Sequence, residues 1–229
     1  MADKRIGLRV RARRPLPSAR RKGRLTVLDF YLPHCDAVLR TSAVIHARPD
    51  DTYTWLKRFD FAQLCQPVGR AIEGMRAVPR PVAAVAQRAR AVPSTARFLL
   101  DDALRAGFIL LSEDRGGHVV LGAVGKLWKP SLELLPLDRE EFLSFHEAKQ
   151  VKAVFGFVLS RYGADRTQLK HEARFLATDD SARTHFRRFW PVIEPFAAFF
   201  MQRALRSLAV VADEQREAGA PPPPWRQRF

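Results

Sequence analysis

The stretch TQLKHEARFLATDDSARTHFRRFW, residues 167 to 190, decides the fold of this chain. It joins an alternating strand directly to a long amphipathic helix, and the TDDS between them consists of residues whose side chains cap helix N-termini. When a sheet is followed by one long helix, the helix packs on the sheet and buries its apolar face. The sequence therefore predicts an α+β protein with a ligand-sized volume between sheet and helix.

Strand alternation divides the side chains of this segment between two faces. Leu169, Ala173 and Phe175 share one face, and the charged Lys170, Glu172 and Arg174 share the other. This pattern is typical of an antiparallel sheet that is packed on one side and wet on the other. We therefore expect Glu172 and Arg174 to form an exposed ion-pair network, with Lys170 or with a neighbouring strand, that contributes ~0–1 kcal/mol.

The preceding sequence supplies further strands and two shorter helices. Strands are predicted at 36–48, 108–113, 118–129, 142–147 and 152–162, with hairpin turns at 115–117 and 163–166. Helices are predicted from the cap at 49–52 to Phe59 and over 62–77, followed by a proline-rich connector at 79–95. The predicted order is one strand, two short helices, several antiparallel strands and a long C-terminal helix.

The C-terminal helix carries a continuous apolar stripe. Its aromatic and aliphatic members are Phe186, Phe189, Trp190, Ile193, Phe200, Ala204 and Leu208. Pro191 and Pro195 each remove a backbone donor, so we expect them to bend or split the helix near its middle.

Charge is concentrated at one end of the 229-residue chain, which has a formal net charge of +15. Residues 1 to 24 hold ten Lys and Arg against the single acid Asp3, so the other residues carry only +6. A segment with few apolar residues and strong self-repulsion is expected to be disordered. The predicted organisation is a basic tail at 1–24, one domain at 25–217 and a proline-rich tail at 218–229.

Targeting and redox signals favour a cytoplasmic protein. The basic tail lacks the apolar core of a secretory signal and, with Ser18 as its only serine, resembles a mitochondrial leader poorly. Loose contact of this tail with nucleic acid or anionic lipid is an alternative to a solvated tail. Nowhere do 18 apolar residues run uninterrupted, which disfavours a transmembrane segment, and two cysteines make no disulfide framework.

The chain resembles a known superfamily at four places, and the resemblance covers about residues 36–212. These are Leu100 to Phe108, the run from Gly122 to Trp128, Leu169 to Phe175, and Phe186 to Trp190. The order of elements and these motifs resemble the START-like superfamily, also called SRPBCC or the polyketide cyclase and lipid-transport, Bet v 1-like superfamily. The closer similarity is to a bacterial subgroup, mostly of unknown function.

The resemblance implies a helix-grip fold: a curved antiparallel sheet wrapped around a long C-terminal helix, with a hydrophobic cavity between them. It implies no fixed chemistry, and no cofactor is predicted. Where the subgroup tends to show Thr-Glu-Thr-Arg, this chain has His171-Glu172-Ala173-Arg174, so only the glutamate and the arginine match.

Aromatic and apolar residues of the last strands and the helix are the candidate cavity lining, because they cluster where sheet and helix meet. The predicted ligand-binding set is Trp128, Phe155, Phe157, Leu169, His171, Ala173, Phe175, Phe186, Phe189, Trp190, Ile193 and Phe200. His171 is the polar member; a neutral imidazole there would orient a ligand hydroxyl or carbonyl, the alternative being a histidine hydrogen-bonded at the sheet margin.

Catalytic and metal motifs are weak. His146-Glu147 and His171-Glu172 lack the second histidine of a zinc-protease helix, and His34-Cys35-Asp36 has no partner at finger spacing, so no metal site and no catalytic residue are predicted.

Three functions remain open. The first is a non-catalytic binding or carrier protein for a small hydrophobic, lipid-like or aromatic, molecule. The second is a cyclase or dehydratase acting on such a molecule, with His171 or Tyr162 as its acid or base. The third is a nucleic-acid or membrane-surface module that uses the basic tail. The sequence favours them in that order.

Overall fold

The computed structural model describes residues 26–64, 98–129 and 133–218. The predicted basic tail at 1–24, the proline-rich connector at 79–95 and most of the second predicted helix lie outside the described residues. The C-terminal helix reaches Ala218, and the rest of the predicted proline-rich tail also lies outside.

The described elements follow the predicted order in most of the chain. The helices are α1 Val27–Tyr31, α2 Pro49–Arg58, α3 Asp102–Arg105, α4 Arg139–Ser144 and α5 Asp180–Ala218, with a 3-10 turn at Phe61–Leu64. The strands are β1 Ala37–Ile45, β2 Ile109–Asp114, β3 His118–Gly125, β4 Val151–Arg161 and β5 Thr167–Ala177.

All neighbouring strands of the described sheet run antiparallel, in the order β1-β5-β4-β3-β2. The central strand is β4, which pairs with β3 on one side and with β5 on the other, so that Phe155 lies opposite Leu121 and Ala173. Helix α5 packs on β1, β5 and β4. This confirms the predicted α+β class and the sheet with a long C-terminal helix folded onto it.

The sheet face that α5 covers, here called the inner face, holds two apolar clusters. One lies under the start of α5 and includes Ala153, Ala173 and Phe175 of the sheet packed with Ala182 and Phe186. The other lies under the end of α5, where sheet residues such as Leu121, Phe157 and Leu169 pack with Leu205 and Leu208. The two clusters anchor the helix at both ends.

The opposite face of the sheet is covered as well, so the prediction of one wet face is wrong. Helices α1 and α4 lie on it, and Leu28 and Phe142 pack there with Val154 and its neighbours on β3. Two glycines permit this close approach: a Cβ at Gly156 would lie 2.5 Å from Cδ1 of Leu28, and one at Gly122 would lie 3.1 Å from Cε2 of Phe142. Helix α1 was not predicted, because five residues are too few for a periodic signal.

Burial of this face changes the status of Glu172 and Arg174, which the sequence predicts to be exposed. The Arg174 side chain is only 6% exposed and ties α1 to the sheet. Its Nη1 donates to Asp29 Oδ1 and to the Leu32 carbonyl, both at 2.8 Å, and its Nε donates to Glu172 Oε1 at 2.7 Å. Arg40 of β1 adds two bonds of 2.8 Å to Glu172. The predicted ion pairing is present, but it is largely buried.

Residues 142–147 were predicted as a strand and instead contain the end of α4. A capping box starts this helix: the Glu141 amide donates to Asp138 Oδ1, and the Asp138 amide donates to Glu141 Oε2, each at 2.8 Å. The cap satisfies two helix donors, and Phe142 then points into the apolar cluster under α1. His146 follows the helix and lies in no strand.

Helix α5 runs without interruption from Asp180 to Ala218, so Pro191 and Pro195 do not split it. Both prolines lie on its exposed side. The carbonyls that lose a partner belong to the exposed residues Arg187 and Pro191, while the buried residues at each end hold the helix to the sheet. No helix in the described part of the chain, α5 included, combines the length and the apolarity needed to cross a membrane.

Candidate ligand site under the C-terminal helix

Helix α5 is buried at both ends but not in its middle. Ala182 and Phe186 are buried near its start, and Ala204 and Leu205 are buried further on, whereas no residue from 187 to 203 is buried. Most of this middle stretch is nevertheless apolar. Apolar side chains that face a sheet without being fully covered indicate imperfect packing between the two.

Phe155 of β4, on the sheet opposite α5, is also incompletely covered. It lies on the inner face of the central strand, where side chains are the most deeply covered in a sheet of this kind. Its neighbours on that face, Ala153 and Phe157, are 0% and 4% exposed, but Phe155 is only partly buried. The centre of the sheet is therefore incompletely covered beneath the middle of α5.

Aromatic rings form the walls around Phe155. Its ring meets those of Phe108 and Phe175 edge-on, with centroids 5.5 and 5.7 Å apart. Phe175 in turn lies 4.5 Å from Trp190, which stacks on Phe186 at 5.5 Å. Such aromatic contacts hold their partners in place and leave a rigid apolar surface.

The structure divides the predicted lining residues into two groups. Six are buried within the core: Phe157, Leu169, His171, Ala173, Phe175 and Phe186. The other six are partly exposed: Trp128, Phe155, Phe189, Trp190, Ile193 and Phe200. The second group, together with Phe108 and Met201, surrounds the middle of α5 and offers accessible apolar surface.

Trp128 belongs to the loop after β3. Its ring stacks on His185 at 5.4 Å, and it packs against the cluster under the start of α5. This contact brings the loop against the first turns of the helix, next to the accessible apolar surface.

His171 lies deeper than the sequence indicates. It is 2% exposed, and its ring packs on Phe157 with centroids 4.7 Å apart. Burial lowers the pKa of His171 to about 4, an effect that the Gly156 carbonyl and Glu172 offset only in part, so the ring is neutral at pH 7. Among the described residues, none is in hydrogen-bond geometry with its Nδ1 or with the hydroxyl of Thr41, which lies opposite it on β1. His171 is thus a buried polar group inside the inner-face core and not at the sheet margin.

Glu194 is the polar residue of the site that sequence reasoning missed. It lies four residues after Trp190 and eleven before Leu205, so it projects from the side of α5 that faces the sheet. Burial raises the pKa of its carboxyl, although the Trp190 side chain donates a hydrogen bond that acts in the opposite direction. The available signal was an acidic residue interrupting the apolar stripe of the helix.

Other predicted or considered residues lie away from this surface. Tyr162 is 53% exposed in the turn between β4 and β5, so it does not share a site with His171. Within the described ranges, no group of three His, Cys, Asp or Glu side chains is arranged to hold a metal ion. Polar groups that bear on ligand chemistry are His171 and Thr41 on the inner face of the sheet and Glu194 on α5.

Comparisons with known proteins give structural likeness alone. No family model matches the chain, and no curated protein matches it. A protein from Deinococcus radiodurans has a TM-score of 0.32 at 12% identity, over 80% of this chain and 100% of its own. The Zhui aromatase/cyclase from a Streptomyces species has a TM-score of 0.28 at 15% identity, over 80% of this chain and 98% of its own.

A third solved structure is similar at the same level. Norcoclaurine synthase from Thalictrum flavum has a TM-score of 0.26 at 12% identity, over 87% of this chain and 99% of its own. Likeness this weak says nothing about the ligand or the chemistry of this chain. Its fold rests on its own sheet order and on the position of α5.

Proposed function

We propose that this protein binds, and carries without altering, a small hydrophobic molecule in the space between Phe155 and the middle of α5. The proposal depends on one observation: Phe155, at the centre of the sheet, stays partly exposed beneath a helix that is buried at both ends. The sequence resemblance to the START-like superfamily supports the same function, and that membership is itself part of the proposal.

The surroundings of this space favour a flat or aromatic ligand. Phe108, Phe155 and Trp190 present ring faces and edges, which pack well against another ring system. Each buried CH₂ equivalent of the ligand contributes about 0.8 kcal/mol, so a molecule of two or three rings gains enough to bind. Glu194 offers one polar anchor at the rim.

A gap-filling substitution tests the site. Phe155→Trp adds ring volume where the ligand would lie, so the affinity for a neutral apolar probe, 1-aminoanthracene, is expected to fall at least tenfold, or about 1.4 kcal/mol. Stability should stay within about 1 kcal/mol of the wild type, because the added ring enters accessible space. Fluorescence titration measures the first quantity, and urea denaturation the second.

Phe199→Trp is the matched control, since Phe199 lies on the opposite side of α5 and is 43% exposed. It should retain the affinity of the wild type. Equal probe binding by the wild type and by Phe155→Trp would overturn the site.

A second function, a cyclase or dehydratase acting on a similar molecule, is favoured by Glu194. A carboxyl whose pKa is raised by burial, placed beside aromatic walls, is suited to take up or deliver a proton. His171 is less suited to this task, because its ring is neutral at pH 7 and enclosed by the core.

The substitution Glu194→Gln separates the two functions. It keeps the size of the side chain and removes its proton exchange, so a carrier should retain 1-aminoanthracene affinity within about twofold. A catalyst should lose turnover of an aromatic polyketide-like substrate by about 10²–10⁴-fold while still binding it. Unchanged turnover in the variant would remove Glu194 from any mechanism.

A further inference from the structure

The side of α5 that points away from the sheet combines arginines with apolar side chains. Arg188, Phe199, Arg203, Arg206 and Val210 follow one another there at helical spacing. Phe199 lies nine residues after Trp190, two and a half turns along the helix, and so points in the opposite direction. These five residues are called the outward face of α5 below.

Apolar and basic side chains of the outward face are both open to solvent. Phe199 is 43% exposed and Val210 is 55% exposed, large values for residues of these types on a helix already packed on a sheet. Together with Gln202, Ser207 and Val211, four of the five residues line a surface groove of about 350 Å³. The groove combines an apolar floor with two guanidinium groups.

The charge of the outward face is not neutralised. Arg203 and Arg206 take part in none of the ion pairs among the described residues, unlike Arg174 and Arg183, which are paired with acids. The sequence between Glu194 and Asp213 contains no acidic residue. Uncompensated arginines beside exposed apolar side chains are the pattern of a helix that lies on an anionic membrane surface.

We infer that the outward face of α5 docks on an anionic lipid bilayer. Phe199 and Val210 enter the boundary between headgroups and acyl chains, while Arg203 and Arg206 hold lipid phosphates beside them. The helix lies in the plane of the surface and does not span it. A nucleic acid would satisfy the arginines but would offer no apolar phase to Phe199 and Val210, so the bilayer is the better partner.

Docking by this face would place the opposite side of the same helix over the ligand space. The middle of α5 would then have membrane on one side and bound hydrophobic molecule on the other, which suits exchange of that molecule with the bilayer. Only this exchange step rests on the proposed function. Docking itself depends on exposed residues that the ligand space does not contain.

Vesicle co-sedimentation of the full-length chain tests the inference. The vesicles contain phosphatidylcholine with either 0 or about 30% phosphatidylglycerol, and the variant is Arg203→Gln with Arg206→Gln. Each basic residue near an anionic surface contributes about fivefold in partitioning, so the double variant should bind about 25-fold more weakly. Phe199→Ser should weaken binding several-fold even at high salt, where charge is screened.

The control is Arg161→Gln with Arg166→Gln, which removes the same charge from the exposed end of the β4–β5 hairpin. Because it keeps the outward face intact, it should bind anionic vesicles within about twofold of the wild type. Equal loss in both double variants, or no loss in either, would overturn the inference and assign the binding to charge elsewhere in the chain. If Arg203→Gln with Arg206→Gln lost binding to duplex DNA but kept its binding to vesicles, the inference would also be overturned, in favour of a nucleic-acid surface.

Discussion

Replacing Arg174 with Met is expected to lower the free energy of unfolding by about 3–5 kcal/mol. The substitution leaves Asp29, Glu172 and the Leu32 carbonyl without the guanidinium that now binds all three. Removing one member of a buried ion network costs this much, because Glu172, whose side chain is 15% exposed, loses a cationic partner and the Leu32 carbonyl loses its donor. Urea denaturation followed by circular dichroism measures the loss, and release of α1 from the sheet should accompany it.

Arg40→Met provides the matched control on the same carboxylate. The Arg40 side chain is 40% exposed, and Glu172 keeps its bond to Arg174 when Arg40 is removed. The cost is therefore expected to be about 1 kcal/mol or less. Similar losses for the two variants would show that burial of Arg174 does not control the stability of this face.

The same network predicts acid sensitivity. Burial tends to raise the pKa values of Asp29 and Glu172, but the hydrogen bonds that each carboxylate accepts leave both below their ordinary values. A carboxylate with a depressed pKa stabilises the folded state above its unfolded pKa, near 4, and loses that contribution as the pH falls through its folded pKa. Part of this acid-induced loss should disappear in Arg174→Met.

The second large effect is a separate loss of stability between pH 6.5 and 4, caused by His171. The pKa of this buried ring is about 4 in the folded protein and 6.5 in the unfolded chain. Within this window the unfolded chain binds a proton that the folded protein does not, so stability decreases as the pH falls. At 1.36 kcal/mol per pH unit, the total decrease is about 3 kcal/mol.

His171→Leu should flatten the stability profile between pH 6.5 and 4, because leucine has no proton to bind. His146→Gln, at an exposed position after α4, should leave the profile unchanged. Urea unfolding at half-unit pH intervals measures all three proteins. A wild-type profile that is already flat in this window would contradict the burial of His171.

Strand alternation and helical periodicity were sufficient to predict the framework of the fold. The strand at 167–177 and the helix from Asp180 were both confirmed, because alternation, a capping cluster and a long apolar stripe are local signals. The second face of the sheet was not predictable in the same way. That face is covered by the short helices α1 and α4. Their close approach depends on Gly156 and Gly122, which lie in other segments of the chain.

The depth of the candidate site residues could not be predicted from the sequence. The sequence indicates which face each residue of β5 occupies, but not how far α5 stands from the sheet, so His171 and Phe155 looked equivalent. The structure separates them: His171 is enclosed, and Phe155 is accessible. Glu194 was overlooked because a single acid in an apolar helical stripe is usually a surface residue at the edge of the stripe.

A crystal structure of the protein with 1-aminoanthracene bound tests the central claim most directly. We expect the probe between the ring of Phe155 and the middle of α5, in contact with Trp190 and Ile193, with the sheet order unchanged. A probe bound only in the groove on the outward face of α5, beside Phe199 and Val210, would contradict the claim. So would a closed interior in which the helix covers Phe155 and the probe finds no place.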